Sequence, residues 1–562
     1  MGWNPVFVFF TVFFLVAGVI FLRKYILQKF PWLTDIRWRW LICGGLSAVL
    51  VLYAGLFAYK PNPFYSPNGL NHDSYYLTSV YSVCNGGTIG VDMDTVYGGH
   101  AYLLAPLLKI IGYSHHRCVF LLVLICVWTF ACLFYLAWAI GKTPEKTLIT
   151  FTFVLQIMIF FAFGAHNGHF FYQHVPHRVV FPVTMLVYIH LGGRFRLQGP
   201  YTAGGYLLSA LALVWNIESG LAALGAFFVG QMFLLFSQHT PKSPLFWRGA
   251  ALHAAGILAS VGTFFGSMWL IAFLRTGQSV PLSRFYATQF TFAGLGYGML
   301  PLPEGISMYM PVFALTAFSA AFVLFWLFHN AGKGFISDDI QLIAALTAVS
   351  VIALVYFVGR SDTRTLIPVI WPAQLLLCAF LSRLSTQAVL ARLDRLERFA
   401  ARLAVWPLCI AVCLFAISVP YTIASTPVIS SYIYSQRTHV MDDRWQEELN
   451  FLQKWQNPDG TVHLVGEYGP ILAAELGLCT TYLGECVHDL YTYRAYDSLI
   501  AYIDQITATG EPLLLDISAA SCLQTYVSED YDRLLKQRRY ELYESIRSLG
   551  VYLPFEGTVN GL

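Results

Sequence analysis

Residues 71–99 read NHDSYYLTSVYSVCNGGTIGVDMDTVYGG, and they separate this chain from a plain bundle of apolar helices. Asp73 stands just beyond an apolar run of membrane-crossing length at 40–59. A short helical stretch with Tyr75, Tyr76 and Tyr81 follows. Gly86-Gly87 stops it, because glycine adopts the backbone conformations that end helices. Asp92, Asp94 and Tyr97 then lead into an apolar segment, 101–112 (AYLLAPLLKIIG). As a helix it is about 18 Å long, too short to cross a bilayer. It is expected to lie on the membrane surface.

Working outward, the 562 residues are 57% hydrophobic, 16% aromatic and 12% charged. Soluble domains average about a quarter charged residues, so a cytosolic globule is excluded. Disorder is excluded as well, since it needs low hydrophobicity and high net charge. Further apolar runs near 6–22, 117–140, 147–164, 178–192, 204–218, 221–237, 250–273, 311–329, 340–358, 366–383 and 402–420 predict an α-helical polytopic membrane protein of about twelve spans. With the N-terminus outside, inner loops hold 17 Lys and Arg and outer loops hold 8. That is the bias expected of cytoplasmic against exported loops. It also requires 101–112 to stay on the outer surface.

Charge divides the chain in two. Residues 1–420 carry 25 Lys and Arg against 12 Asp and Glu, whereas 421–562 carry 9 against 19. The first part is expected to be the membrane body, with a first outer loop at 60–116. The second is expected to be a small extracytoplasmic α/β domain. Its strands are predicted at 462–466 and 513–517, and its helices at 443–455, 494–508 and 530–549. Cys479 and Cys486 in this domain either pair or stay as thiols. The chain has no N-x-[ST] sequon, which leans towards a bacterial inner membrane with a periplasmic tail. No basic stripe with interleaved aromatics appears, so nucleic acid is not an expected partner.

Charged residues at membrane edges are costly and mark functional candidates. The outer side gathers Asp73, Asp92, Asp94 and Glu218. It also gathers His72, His177, Arg178, Arg284, Arg360 and Arg364. Residues 71–117 resemble the GT-C superfamily of integral-membrane glycosyltransferases, which use polyprenyl-phosphate-linked sugars. Weaker echoes lie at 176–182 (PHRVVFP), 215–220 (WNIESG) and 359–372 (GRSDTRTLIPVIWP). In that superfamily the first large outer loop carries an acid near its start, then a helix ending in Gly, then an Asp, and it caps the active site. Many members begin the motif with Asp-Glu, whereas this chain has His72-Asp73. His72 therefore occupies the usual aspartate position.

The resemblance implies sugar transfer, with inversion, from a polyprenyl-phosphate donor to an extracytoplasmic glycan, lipid or protein. Asp73 is the expected base, with Asp92, Asp94 and His72 as alternates. Arg178, Arg360 and Arg364 are the leading phosphate ligands, since a guanidinium fork matches phosphate. Arg284, His177, Glu218 and Tyr97 complete the candidate substrate-binding set.

Each residue also has a plainer use. Asp73 suits a helix N-cap, Asp92 and Asp94 suit turns, Arg178 suits snorkelling, and Glu218 suits an ion pair. His166, His169, His174 and His177 have zinc-like spacing but lack Cys partners and an H-E-x-x-H helix, so no metal site is assigned. The superfamily leaves room for a divalent cation on the first outer loop. A transporter or flippase of lipid-linked saccharides is the rival reading. It predicts midplane charges, broken helices and two related halves, none of which the sequence displays.

Overall fold

A computed structural model describes residues 30–59, 67–163, 170–195, 199–286, 301–302, 309–333, 338–359, 363–384, 443–466, 469–484, 493–516, 531–547 and 549–555, with Gln28, Thr288 and Ser361. The apolar runs at 6–22 and 402–420, Arg360, His166, His169, Cys486 and the 420/421 boundary lie outside the described residues.

The body is helical. In chain order its helices are α1 (Ile36–Ala58), α2 (Pro67–Cys84), α3 (His100–Ile111), α4 (His115–Gly141), α5 (Pro144–Phe163) and α6 (Val180–Phe195). They continue as α7 (Pro200–Trp215), α8 (Ile217–Gln238), α9 (Pro244–Thr276), α10 (Tyr309–Asn330), α11 (Asp338–Gly359) and α12 (Ile367–Leu384). Their ends follow local chemistry. Ser114 caps α4 by accepting from the Arg117 amide, and Asn216 caps α8 by accepting from the Ser219 amide at 2.8 Å. Pro200 and Pro244 open α7 and α9, where a missing N–H costs nothing.

Five of the described helices are long and apolar enough to cross a membrane: those at His115–Gly141, Ile217–Gln238, Pro244–Thr276, Tyr309–Asn330 and Asp339–Val358. Large apolar side chains such as Leu258, Leu274 and Phe328 stay exposed on them, as a lipid-facing surface requires. The chain is an integral membrane protein. Between α10 and α11 the hydroxyls of Thr316 and Ser350 meet at 2.6 Å, and those of Ser319 and Thr347 at 2.5 Å. Hydroxyl pairs of this kind satisfy polar groups between helices without water. Helix α3 is one-sided in its burial. It buries Ala101, Leu104, Ala105 and Leu108 and exposes Leu107, Ile110 and Ile111.

The C-terminal part mixes helices α13 (Asp443–Lys454), α14 (Gly469–Glu475), α15 (Tyr493–Thr509) and α16 (Tyr531–Gln537) with short strands. Strands β1 (Thr461–Val462) and β3 (Cys479–Thr480) pair in parallel. A second sheet has the order β2 (Leu464–Val465), β4 (Leu513–Asp516), β6 (Leu549–Pro554), β5 (Tyr540–Ile546). Its first pair is parallel and the other two are antiparallel.

One expectation fails here. The helix predicted over 530–549 stops at Gln537, and the chain turns into the β5–β6 hairpin. Arg539, with φ +62°, breaks the helix. A bulge between Leu542 and Glu544 then interrupts the alternation of an edge strand, which hides its two-residue period. Cys479 is a free thiol.

This unit is packed onto the body. Helix α14 lies against α2 and α4. The Ser82 hydroxyl donates to the Leu483 carbonyl at 2.7 Å, and the Asn85 amide donates to the Thr480 hydroxyl at 3.3 Å. Buried side chains from both parts, such as Leu77 and Leu472, belong to one apolar core.

Candidate active site

Asp73 is the seventh residue of α2, so the N-cap reading is wrong: the helix begins at Pro67. The side chain is 2% exposed. Successive helical residues point about 100° apart, so His72 and Asp73 serve different flanks. His72 faces the segment before α6. Its ring meets Phe171 edge-on at 4.3 Å, and its Nδ1 accepts from the Gln173 amide at 3.1 Å.

Gln173 ties three candidates together. Its Oε1 accepts from the Tyr97 hydroxyl at 3.1 Å, and its backbone carbonyl accepts from Arg178 Nη1 at 2.6 Å. Arg178 also donates through Nε to Glu218 at 2.9 Å. Its guanidinium lies over the rings of Tyr356 at 4.7 Å and Tyr97 at 5.8 Å. Arg178 is 7% exposed, so it is a buried cation held by one carboxylate, one carbonyl and two aromatic faces. Snorkelling to the interface is excluded by that burial. Glu218 lies in the first turn of α8, where the helix dipole favours its charge.

Beneath this cluster is a layer of rings. His100 stacks flat on Tyr76 with centroids 4.6 Å apart, and the Tyr76 hydroxyl meets His177 Nδ1 at 3.1 Å. His177 lies 4.9 Å from His100 and 5.5 Å from Trp215, whose indole donates to the His177 carbonyl at 2.8 Å. Burial pushes the His100 imidazole down to about 4. Burial, with the charges of His100 and Arg178 adding to it, pushes His177 well below its ordinary range. Both are neutral at pH 7. Two glycines let the 97–99 backbone press onto the α7–α8 turn. A Cβ on Gly98 would sit 3.0 Å from the Trp215 carbonyl oxygen, and one on Gly99 would sit 2.8 Å from that of Val214.

The remaining carboxylates of the loop hold the loop itself. Asp92 accepts from the Thr88 amide at 2.7 Å, closing a turn, and burial raises its carboxyl above the usual range. Asp94 forms an ion pair with Arg494 at 2.7 Å. Arg494 also donates to the carbonyls of Gly90 and Val91. Arg284 donates to the Gly90 carbonyl at 3.0 Å, so the structure gives it a backbone partner in the loop. Arg275 covers the end of α2, donating to the carbonyls of Val83 at 3.2 Å and Gly87 at 3.0 Å. Three arginines from distant parts of the chain thus staple residues 83–94.

Among the described residues no three His, Cys, Asp or Glu side chains come together to hold a metal ion. Arg364 lies on the 3₁₀ turn Thr363–Leu366, which follows α11. Tyr356 near the end of α11 touches Arg178, so that turn belongs to the same end of the body. Gln173, Tyr356, Arg275 and Arg494 went unnoticed in the sequence. Gln173 and Tyr356 carry no charge, and the two arginines lie far along the chain from their partners.

No family model and no curated protein sequence matches the chain. Among solved structures, ArnT from Cupriavidus metallidurans bound to undecaprenyl phosphate is similar to it with a TM-score of 0.50 at 10% identity. The match covers 92% of this chain and 98% of that one. The apo state of the same protein gives 0.46 over the same shares. The first likeness is one of fold. The chain has the overall architecture of that solved protein, over nearly the full length of both chains.

Proposed function

We propose that this membrane protein is a GT-C-type glycosyltransferase that moves one sugar, with inversion, from a polyprenyl-phosphate-linked donor to an extracytoplasmic glycan, lipid or protein. The observation that carries the reading is a coincidence of fold and site. The fold is that of a protein solved with undecaprenyl phosphate bound. At one end of the helical body, this chain gathers a buried acid on α2, a histidine and a buried arginine. The lysine and arginine bias supports an outer position for that end, and the proposal sets it in a bacterial inner membrane with the C-terminal unit in the periplasm.

In the proposed reaction the acceptor hydroxyl attacks the anomeric carbon from the face opposite the phosphate. Asp73 takes the hydroxyl proton. The bond between the anomeric carbon and the phosphate oxygen breaks, and its electron pair leaves with the polyprenyl phosphate, which needs no proton at this pH. Arg178, oriented by Glu218 and Gln173, and Arg364 offset the charge that grows on the phosphate. Neutral His177 and His100 support Tyr76 and Tyr97 without adding charge to the site. No step requires a metal ion.

The test incubates purified full-length protein with a polyprenyl-phosphate sugar and candidate acceptors, and measures free polyprenyl phosphate. Release that depends on acceptor and on Arg364 supports the proposal, with Arg364→Ala costing about 10²–10³. Binding of the lipid-linked sugar without release overturns it in favour of transport.

A further inference from the structure

A second charged cavity lies at the opposite end of the body. Helix α4 runs from His115, whose Nδ1 meets the Tyr81 hydroxyl at 2.6 Å, to Gly141. Its 27 residues carry the chain about 40 Å at 1.5 Å per residue. There the ends of α1, α4, α6 and α11 enclose a cavity of about 470 Å³ lined by Trp40, Trp138, Lys142, His190, Arg194 and Asp339. We propose that this cavity binds the phosphodiester headgroup of an anionic phospholipid in the leaflet remote from the outer site.

Three observations carry the proposal. First, the cavity has a surplus of positive charge. Lys142 pairs with Asp339, and Arg383 lies 3.7 Å from the same carboxylate. Arg194 has no carboxylate partner among the described residues, and its guanidinium lies 5.0 Å over the Trp138 ring. A guanidinium resting over an indole still has N–H donors to offer a phosphate. Second, neighbouring cations at this end are already engaged: Arg39 pairs with Glu145 at 2.6 Å, and Lys146 donates to the Ser382 carbonyl. Arg194 is therefore distinguished from a general inward bias of positive charge. Third, the cavity is flanked by aromatic side chains of interfacial type. Phe30, Trp32 and Trp38, near Trp40, are exposed aromatics of the kind found at a membrane interface, and Phe195 beside Arg194 is exposed as well. Basic pockets between helices at a membrane interface suit lipid phosphates.

The experiment titrates detergent-solubilised full-length protein with dioctanoylphosphatidylglycerol, dioctanoylphosphatidylcholine and glycerol phosphate, counting bound molecules by native mass spectrometry. The phosphatidylglycerol is expected to bind tightest. Arg194→Gln is expected to weaken it about tenfold, as loss of a charge-assisted hydrogen bond predicts, whereas Arg194→Lys weakens it less. Arg39→Gln is expected to change nothing, because that cation is already paired. Equal loss in Arg39→Gln overturns the site in favour of diffuse surface charge. Equal binding of the phosphatidylcholine overturns recognition of net charge. Glycerol phosphate binding as tightly as the lipid overturns the membrane source. Melting temperatures of the variants separate lost binding from lost folding.

Discussion

The two halves of the first outer loop treat their acids differently. In the helical half, α2 closes its own backbone hydrogen bonds, with Asp73 buried on its seventh position. In the half that follows, from Asn85 to Gly99, no regular element satisfies the backbone. Asp92 closes a turn on Thr88, Asp94 fixes Arg494, and Arg275, Arg284 and Arg494 collect the stray carbonyls. The two turn carboxylates shape the loop backbone, whereas Asp73 sits buried within a helix whose backbone bonds are already made. The sequence ranks Asp73 ahead of Asp92 and Asp94 but does not show what the latter two hold.

The sharpest way to break this comparison is to neutralise the acids one at a time. Asp73→Asn is expected to lower transfer by about 10² or more with the melting temperature unchanged. His72→Gln, on the other flank of α2, is expected to cost about tenfold, because Gln retains an acceptor for Gln173. If the His72 variant suffers the larger loss, the base belongs to the flank of Gln173 and Arg178. Arg494→Gln and Asp94→Asn are expected to act through the loop, raising the acceptor KM with kcat little changed. A double-mutant cycle on melting temperature is expected to give a coupling of about 1–2 kcal/mol, below a fully buried pair because Arg494 is 29% exposed.

Two smaller effects concern pH. His100 titrates near 4 in the folded protein, against 6.5 when unfolded. The unfolded chain therefore binds more protons across that interval, and stability is lost as pH falls from 6.5 towards 4. His100→Phe is expected to flatten that part of a melting-temperature profile. Glu475 behaves oppositely. Burial raises its carboxyl to about 7, and its Oε2 has no hydrogen-bond partner among the described residues. Its destabilising charge develops as pH rises from 4.5 through 7. Glu475→Gln is expected to raise the melting temperature by a few degrees at pH 8 and to leave it unchanged at pH 5.

The helices were largely legible, because a span announces itself by a long apolar run. The break at 142–143 was legible too, through Lys142, whereas the run read as 204–218 passes over the true break at Asn216. The first outer loop was readable as a helix, a glycine stop and a surface helix for the same local reasons. What escaped was non-local. Arg178 and Glu218 lie 40 residues apart, and nothing in either segment predicts their pairing. Gln173 joins His72, Tyr97 and Arg178 through neutral amide chemistry that no charge pattern reveals. The β5–β6 hairpin was hidden by its bulge, and charged residues such as Glu541 and Glu544 on its open edge read as a helix surface.

The arginine staple also sets a schedule for making the protein. Asp94 waits 400 residues for Arg494, and Ser82 waits 401 for Leu483. At 5–20 residues per second, on the order of 20–80 s separates the emergence of the loop from that of its clamp. Throughout that interval the membrane helices are being inserted while the loop above them is unsecured. The candidate site is completed only when nearly the whole chain has been made, so a truncated product is expected to insert into the bilayer without a finished site.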